Sequence, residues 1–264
     1  MGDWIVSGDA QKCVGYSASV TPTDHNVKSA YSEIVAALPF DVGFIQLHQV
    51  SGYRGDYLVD IAIGAAGSEY VIVSNILVSE PGLRTTNTFI IPINIPKGTR
   101  VAIRAQQRAP TGSWGGTFFL GFFSKGGRTQ VCGIVDTYGA NEADSGGVLI
   151  DPGTSVDTKG AYYEIVSSCN DIKALGIAIG INIDYARSTC YWYVDIAIGA
   201  SGSEEIIIAD LMLTCYSTVG AVVPKLIGML PFVIPAGSRI AVRASCTINT
   251  ASDRTFDVAL YGAR

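Results

Sequence analysis

Apolar and polar positions alternate with a period of two along most of this chain. In Val59-Asp60-Ile61-Ala62-Ile63 the valine and isoleucines point to one side and Asp60 and Ala62 to the other, the pattern of a strand with one apolar face. Arg100-Val101-Ala102-Ile103-Arg104 repeats it, with Val101 and Ile103 facing inward. The alternation predicts strands over about 12–20, 29–36, 42–49, 56–63, 69–79, 85–95, 99–107 and 116–124. A second series follows over about 146–151, 160–167, 173–183, 190–198, 204–214, 225–234, 238–247 and 254–262. The runs are rich in Val, Ile, Thr, Tyr and Phe, and Gly and Pro fall mainly between them, where turns need them. Two sets of eight strands with no helical pattern between them predict an all-β chain of two antiparallel sandwiches, most simply jelly rolls. An immunoglobulin-type sandwich needs fewer strands and usually a Cys…Trp…Cys core, which the chain lacks.

The two series are copies. LVDIAIGAAGSEYVIVSNILV (58–78) is answered by YVDIAIGASGSEEIIIADLML (193–213), an offset of 135 from Val59 to Val194. Upstream, Tyr31, Glu33, Ile34 and Val35 match Tyr162, Glu164, Ile165 and Val166 at 131; downstream, IPKGTRVAIRA (95–105) matches IPAGSRIAVRA (234–244) at 139. The offset grows where loops gained residues. A division into 1–127 and 128–264 follows, because Lys125–Gly147 has no complete counterpart in the first half. Its Gly, Ser, Asn and Asp content predicts a linker or an exposed excursion.

Composition narrows the function. The 264 residues suit two domains. Charged residues are 16% against 48% hydrophobic, well below the usual charged share of about 25%, so apolar surface is left over for contacts with other subunits or proteins. No basic cluster accompanies the net charge of −5, which argues against nucleic acid, and no apolar run is long enough to span a bilayer as a helix. The six cysteines form no CxxC pair and no duplicated framework, so free, mostly buried thiols and folding in a reducing compartment are expected. MGDWIVSGDAQKC lacks the features of a secretory leader.

Polar residues kept in both copies are the candidates for chemistry: Asp60/Asp195, Glu33/Glu164, Glu69/Glu204, Arg100/Arg239 and Arg104/Arg243. If their strands adjoin, Asp60 pairs with Arg104 and Asp195 with Arg243 across the ladder. The catalytic alternative is an acidic pair such as Glu33 with Asp60 in a glycosidase. Architecture is favoured, since a fold-maintaining pair is retained in both copies more readily than a catalytic duty. GAAGSE and GASGSE read as turns; as cation sites they lack oxygen ligands at fixed spacing, and as phosphate cradles they lack a following helix. His25 and His48 are not duplicated and do not cluster with cysteines, so no metal site and no cofactor are expected. Tyr53, Tyr57, Trp114, Tyr191, Trp192 and Tyr193 are read as packing residues, with a sugar-binding platform as the alternative.

The doubled signature VDIAIGAAGSE followed by IPKGTRVAIRAQ resembles virion proteins of tailed bacteriophages, over about 36 residues per copy. The resemblance implies a non-enzymatic jelly-roll structural component: a capsid decoration or cement protein, a head fibre or a tail part. It implies a virion location after folding in the host cytoplasm, contacts with a major capsid or tail protein, and a homo-oligomer, for which a trimer is the working expectation. It transfers no catalytic residues. A pair of carbohydrate-binding or receptor-binding modules is the rival, because function resides in sites and not in the fold.

Overall fold

The computed structural model describes residues 12–24, 26–52, 56–79, 89–107, 115–125, 132–140, 147–179, 190–215 and 225–264. The first half contributes β1 (Cys13–Val20), β2 (Ser32–Val35), β3 (Val42–Gly52), β4 (Asp56–Ile63), β5 (Tyr70–Ser79), β6 (Phe89–Ile91), β7 (Val101–Gln107) and β8 (Gly116–Ser124). The second contributes β9 (Val135–Tyr138), β10 (Val148–Ile150), β11 (Tyr163–Val166), β12 (Ala174–Ile179) and β13 (Cys190–Ile198). It continues with β14 (Glu205–Cys215), β15 (Lys225–Leu230), β16 (Ile240–Cys246) and β17 (Phe256–Ala263). One helical turn, α1 (Ala251–Arg254), precedes β17. Of the predicted strand 85–95, residues 85–88 lie outside the described residues, as do His25, Tyr53 and Trp114.

Each half is a two-layer sandwich. In the first, the sheet β1-β8-β3-β6 packs on β5-β4-β7-β2; in the second, β10 and β9 beside β17-β12-β15 pack on β11-β16-β13-β14. Eight strands in the first half and nine in the second, paired antiparallel within each half, make two jelly rolls. Ile45, Leu47, Phe118, Leu120 and Phe122 from one layer meet Val59, Ile61, Val73 and Ile103 from the other, all fully buried. Leu175, Ile177, Val258 and Leu260 meet Val194, Ile196 and Val242 in the same way in the second core. Cys132, Cys169, Cys190 and Cys246 are buried free thiols, and Cys13 is an exposed one.

Two findings depart from the alternation pattern. First, the face expected to look outward is also covered: Asp60 is only 2% exposed, and Ala62 and Ala102 are fully buried. Over Asp60 the covering piece is the connection between β1 and β2, whose Lys28 binds the carboxylate and which continues along β7 through Asn26 N to Gln107 O and Ser29 N to Ala105 O. The connection between β10 and β11 repeats this, with Asp157 N on Cys246 O and Gly160 N on Ala244 O.

Second, the segment expected to be a linker contains β9, and β9 joins the halves. It pairs antiparallel with β17 and parallel with β5, at Val73 and Val135. One nine-stranded sheet therefore runs through both halves. Beside this seam, Ile93 bridges Cys132, and the Phe89 ring meets Tyr261 edge-on at 5.4 Å. The fully buried Tyr261 hydroxyl accepts from Leu77 N at 2.8 Å, and burial pushes its pKa up. Tyr261→Phe is expected to leave that amide without an acceptor and to cost about 1–3 kcal/mol. Urea unfolding midpoints compared with wild type will check this.

Candidate functional site

The repeated charges build two matching networks per half. The central one forms around Asp60. Its strand places it directly opposite Arg104 on β7, and Arg104 Nε donates to Asp60 Oδ2 at 2.8 Å. On its other side the β4–β5 register shifts between Val59 and Ile61, so two residues of β5 oppose Asp60. Within this bulge Asn75 takes φ 47°, and its amide donates to Asp60 Oδ1 at 2.8 Å. Lys28 Nζ donates to the same oxygen at 2.9 Å and to Leu58 O at 3.1 Å. Tyr31 closes the cluster, with the Arg104 guanidinium 5.0 Å from its ring centroid, a cation–π contact.

The second half reproduces the network atom for atom. Asp195 Oδ2 accepts from Arg243 Nε at 2.9 Å, and Oδ1 accepts from Lys159 Nζ at 2.6 Å and Asp210 N at 3.0 Å. Asp210 stands at φ 51°, and Arg243 lies 4.6 Å from the Tyr162 ring. One difference is informative. Asn75 leaves its side-chain Oδ1 buried without a hydrogen bond, whereas Asp210 turns to Lys159 at 2.8 Å.

The outer network hangs on Arg100. Its Nε donates to Glu33 Oε2 at 2.8 Å, and Nη1 to Gly64 O at 3.0 Å and Glu69 Oε1 at 3.1 Å. Glu69 Oε2 accepts from Gly67 N at 2.9 Å. Arg239 holds Glu164, Gly199 O and Glu204 in the same way, and Gly202 N caps Glu204. The glycine loops are thus turns locked by their own carboxylate. Gly64 and Gly199 stand at φ 109° and 110°, a conformation open to glycine and strained for other residues. Both carboxylate oxygens of Glu69 and of Glu204 already have donors, so these loops do not form cation cradles.

This arrangement separates the residues of the glycosidase alternative. Glu33 belongs to the Arg100 network and Asp60 to the Lys28–Arg104 network, each facing a cation. A general acid needs a raised pKa and a reachable proton. Asp195 shows the opposite: burial works to raise its carboxyl, but Lys159, the Asp210 amide and Arg243 outweigh it and hold it below the ordinary value. No group of three or more His, Cys, Asp and Glu able to hold a metal occurs among the described residues.

The second half adds an ion pair that repeat matching could not reveal. Asp151, just after β10, receives Arg254 of α1 in a two-pronged contact, Nη2 to Oδ2 at 2.8 Å. Arg254 also carries the acceptor for Trp192, whose indole Nε1 donates to Arg254 O at 2.6 Å. Trp192 is fully buried and cannot face a sugar. Tyr57 is likewise buried, edge-on to Phe118 at 5.4 Å. Tyr191 and Tyr193 are exposed, at 38% and 36%.

The paired carboxylates set the pH response. The Arg254 hydrogen bond, foremost, holds Asp151 below the usual range, as the network does Asp195. A carboxyl whose folded pKa is depressed contributes stability that is full above its unfolded value and is lost as pH falls through the folded one. Stability is therefore expected to be level near neutrality and to decline once pH drops below about 4, the unfolded carboxylate range. Urea midpoints measured from pH 7 to pH 2 will show this; rising stability below pH 4 would contradict it.

No protein-family model matches the chain, and no curated protein matches it. Among solved structures it is similar to PNGF-II, with 10% identity and a TM-score of 0.36, covering 94% of this chain and 65% of that one. It is similar to the tandem CBM22-1–CBM22-2 domain of Paenibacillus barcinonensis Xyn10C, with 10% identity and TM-score 0.31 over 98% and 94% of the two chains. It is also similar to PNGase F, a glycosylasparaginase from Flavobacterium meningosepticum, with 8% identity and TM-score 0.31 over 97% and 96%.

Proposed function

We propose that this chain is a non-enzymatic structural protein that works through protein–protein contacts as a homo-oligomer, in the virion of a tailed bacteriophage. On this reading it decorates or stabilises a capsid or tail and touches the major capsid or tail protein. One observation carries the non-catalytic part: in both halves the retained carboxylates Asp60, Glu69, Asp195 and Glu204 have every oxygen engaged by cations or amides of the framework itself. Side chains spent this way brace strands and turns, and these four carboxylates are not poised for proton transfer. The bacteriophage assignment is supported by the doubled VDIAIGAAGSE…IPKGTRVAIRAQ resemblance.

Mass spectrometry of particles purified from cultures carrying this gene tests the proposal. Peptides of this chain at fixed stoichiometry with the major capsid or tail protein are expected; their absence from particles would overturn it. The carbohydrate-binding reading is favoured by exposed Tyr191 and Tyr193 on one strand. A glycan array showing binding that is lost in Tyr193→Ala would replace the structural role with it.

A further inference from the structure

The duplication places one half of a known contact at each end of the molecule. Inside the chain, β5 of the first half receives β9, the first strand of the second half. Between the halves, β5 corresponds to β14 at the offset of 135. β9 corresponds to β1, because both flank the last strand in the same register: Tyr16 lies opposite Leu120 and Tyr138 opposite Leu260. Among the described residues, β14 has β13 as its one strand neighbour and β1 has β8. The chain thus presents, unjoined, a second receiving strand and a second entering strand.

Their surfaces fit that role. On β5, which carries the seam, Ile72, Val73, Ile76 and Leu77 belong to the first core and are all 3% exposed or less. The matching β14 positions Ile207, Ile208 and Leu211 are only half-buried, and Ile206 and Met212 are 41% and 47% exposed. Apolar residues have been kept where the isolated chain leaves them partly exposed. At the seam Asn94 N donates to Cys132 O at 2.8 Å; its counterpart Val233 is 72% exposed, the most exposed large apolar residue described. The bulge at Ala209–Asp210 does not bar a partner, since β5 carries the same bulge and still pairs. The entering strand, CVGYSASV, contains no charge and no proline, the devices that normally protect a free edge from pairing.

We infer that β1 of one copy of this chain docks in parallel beside β14 of the next, repeating between molecules the seam that β9 and β5 form within one. Cys13 then lies beside Ile208, the counterparts of Val135 and Val73. The contact is head-to-tail, so each molecule uses two different surfaces, and the assembly closes into a ring or grows as a filament according to the rotation per copy. This deepens the structural reading above and rests on its premise of protein–protein contact.

Sedimentation of the purified full-length chain under reducing conditions tests it, independently of any particle. Wild type is expected to form multimers. Cys13→Lys, at an exposed position, and Ile208→Glu are each expected to be monomeric, the former with an unchanged melting temperature. The decisive result is the mixture: each variant retains one intact surface, so equal amounts should form two-chain complexes and stop there. Ile206→Lys replaces Ile208→Glu if the latter does not fold. A monomeric wild type overturns the inference, as does a multimer that Cys13→Lys leaves intact or a mixture that stays monomeric. Each of those results leaves the particle assay free to succeed or fail on its own.

Discussion

Replacing Asp60 with alanine is expected to destabilise the first sandwich by about 3–5 kcal/mol, the range for removing one partner of a buried ion pair. The carboxylate has a side-chain exposure of 3%, Lys28 of 5% and Arg104 of 27%, so water can replace little of what is lost. Without Asp60, the Lys28 ammonium keeps Leu58 O but loses this carboxylate, and the Asn75 amide loses its acceptor inside the bulge. Asp60→Asn, which keeps an acceptor of the same shape, should cost less. Asp195→Ala should cost less than Asp60→Ala, because Lys159 is 23% exposed and also pairs with Asp210. Thermal and urea unfolding of the three variants will rank them. If Asp60→Ala is neutral while an activity disappears, the bracing role is wrong.

Trp192→Ala is expected to cost about 3–5 kcal/mol and to unfold the second sandwich at temperatures where the first persists. Trp192 fills the space between its sheet and Phe256, the rings 5.9 Å apart and edge-on, and it ties β13 to α1 through the Arg254 carbonyl. The cavity and the orphaned carbonyl act together. Trp192→Phe should recover much of the packing but not the hydrogen bond. Two separated transitions in calorimetry of Trp192→Ala, against the wild-type trace, provide the readout.

The period-two pattern exposed the longer strands well because each has one apolar side. β4 and β7 are examples, and once they adjoin, the Asp60–Arg104 register follows from the repeat. β9 was illegible for the opposite reason. Val-Asp-Thr-Tyr is four residues in a glycine-rich stretch, and what makes it a strand lies some 60 residues upstream on β5 and over 120 downstream on β17. The two donors to Asp60 besides Arg104 were hidden too. Lys28 lies in an irregular connection, and Asn75 contributes through a positive φ inside what reads as unbroken strand. The burial of Asp60 came with the same connection, on a face that alternation alone assigns to solvent. A Trp between two tyrosines looks like a platform in one dimension; inward-facing Trp192 alternating with outward-facing Tyr191 and Tyr193 makes it a core residue flanked by surface ones.

The near-identity of β4 and β13, both reading Val-Asp-Ile-Ala-Ile, makes them interchangeable during folding. Either could lie beside β7 or β16 and meet an arginine at the right place. An unfolded chain released all at once must choose between native pairing and an exchanged one of nearly equal local energy. Synthesis from the N-terminus breaks the tie, since domains fold as they emerge: β4 and β7 can be sealed together before Cys190 leaves the ribosome.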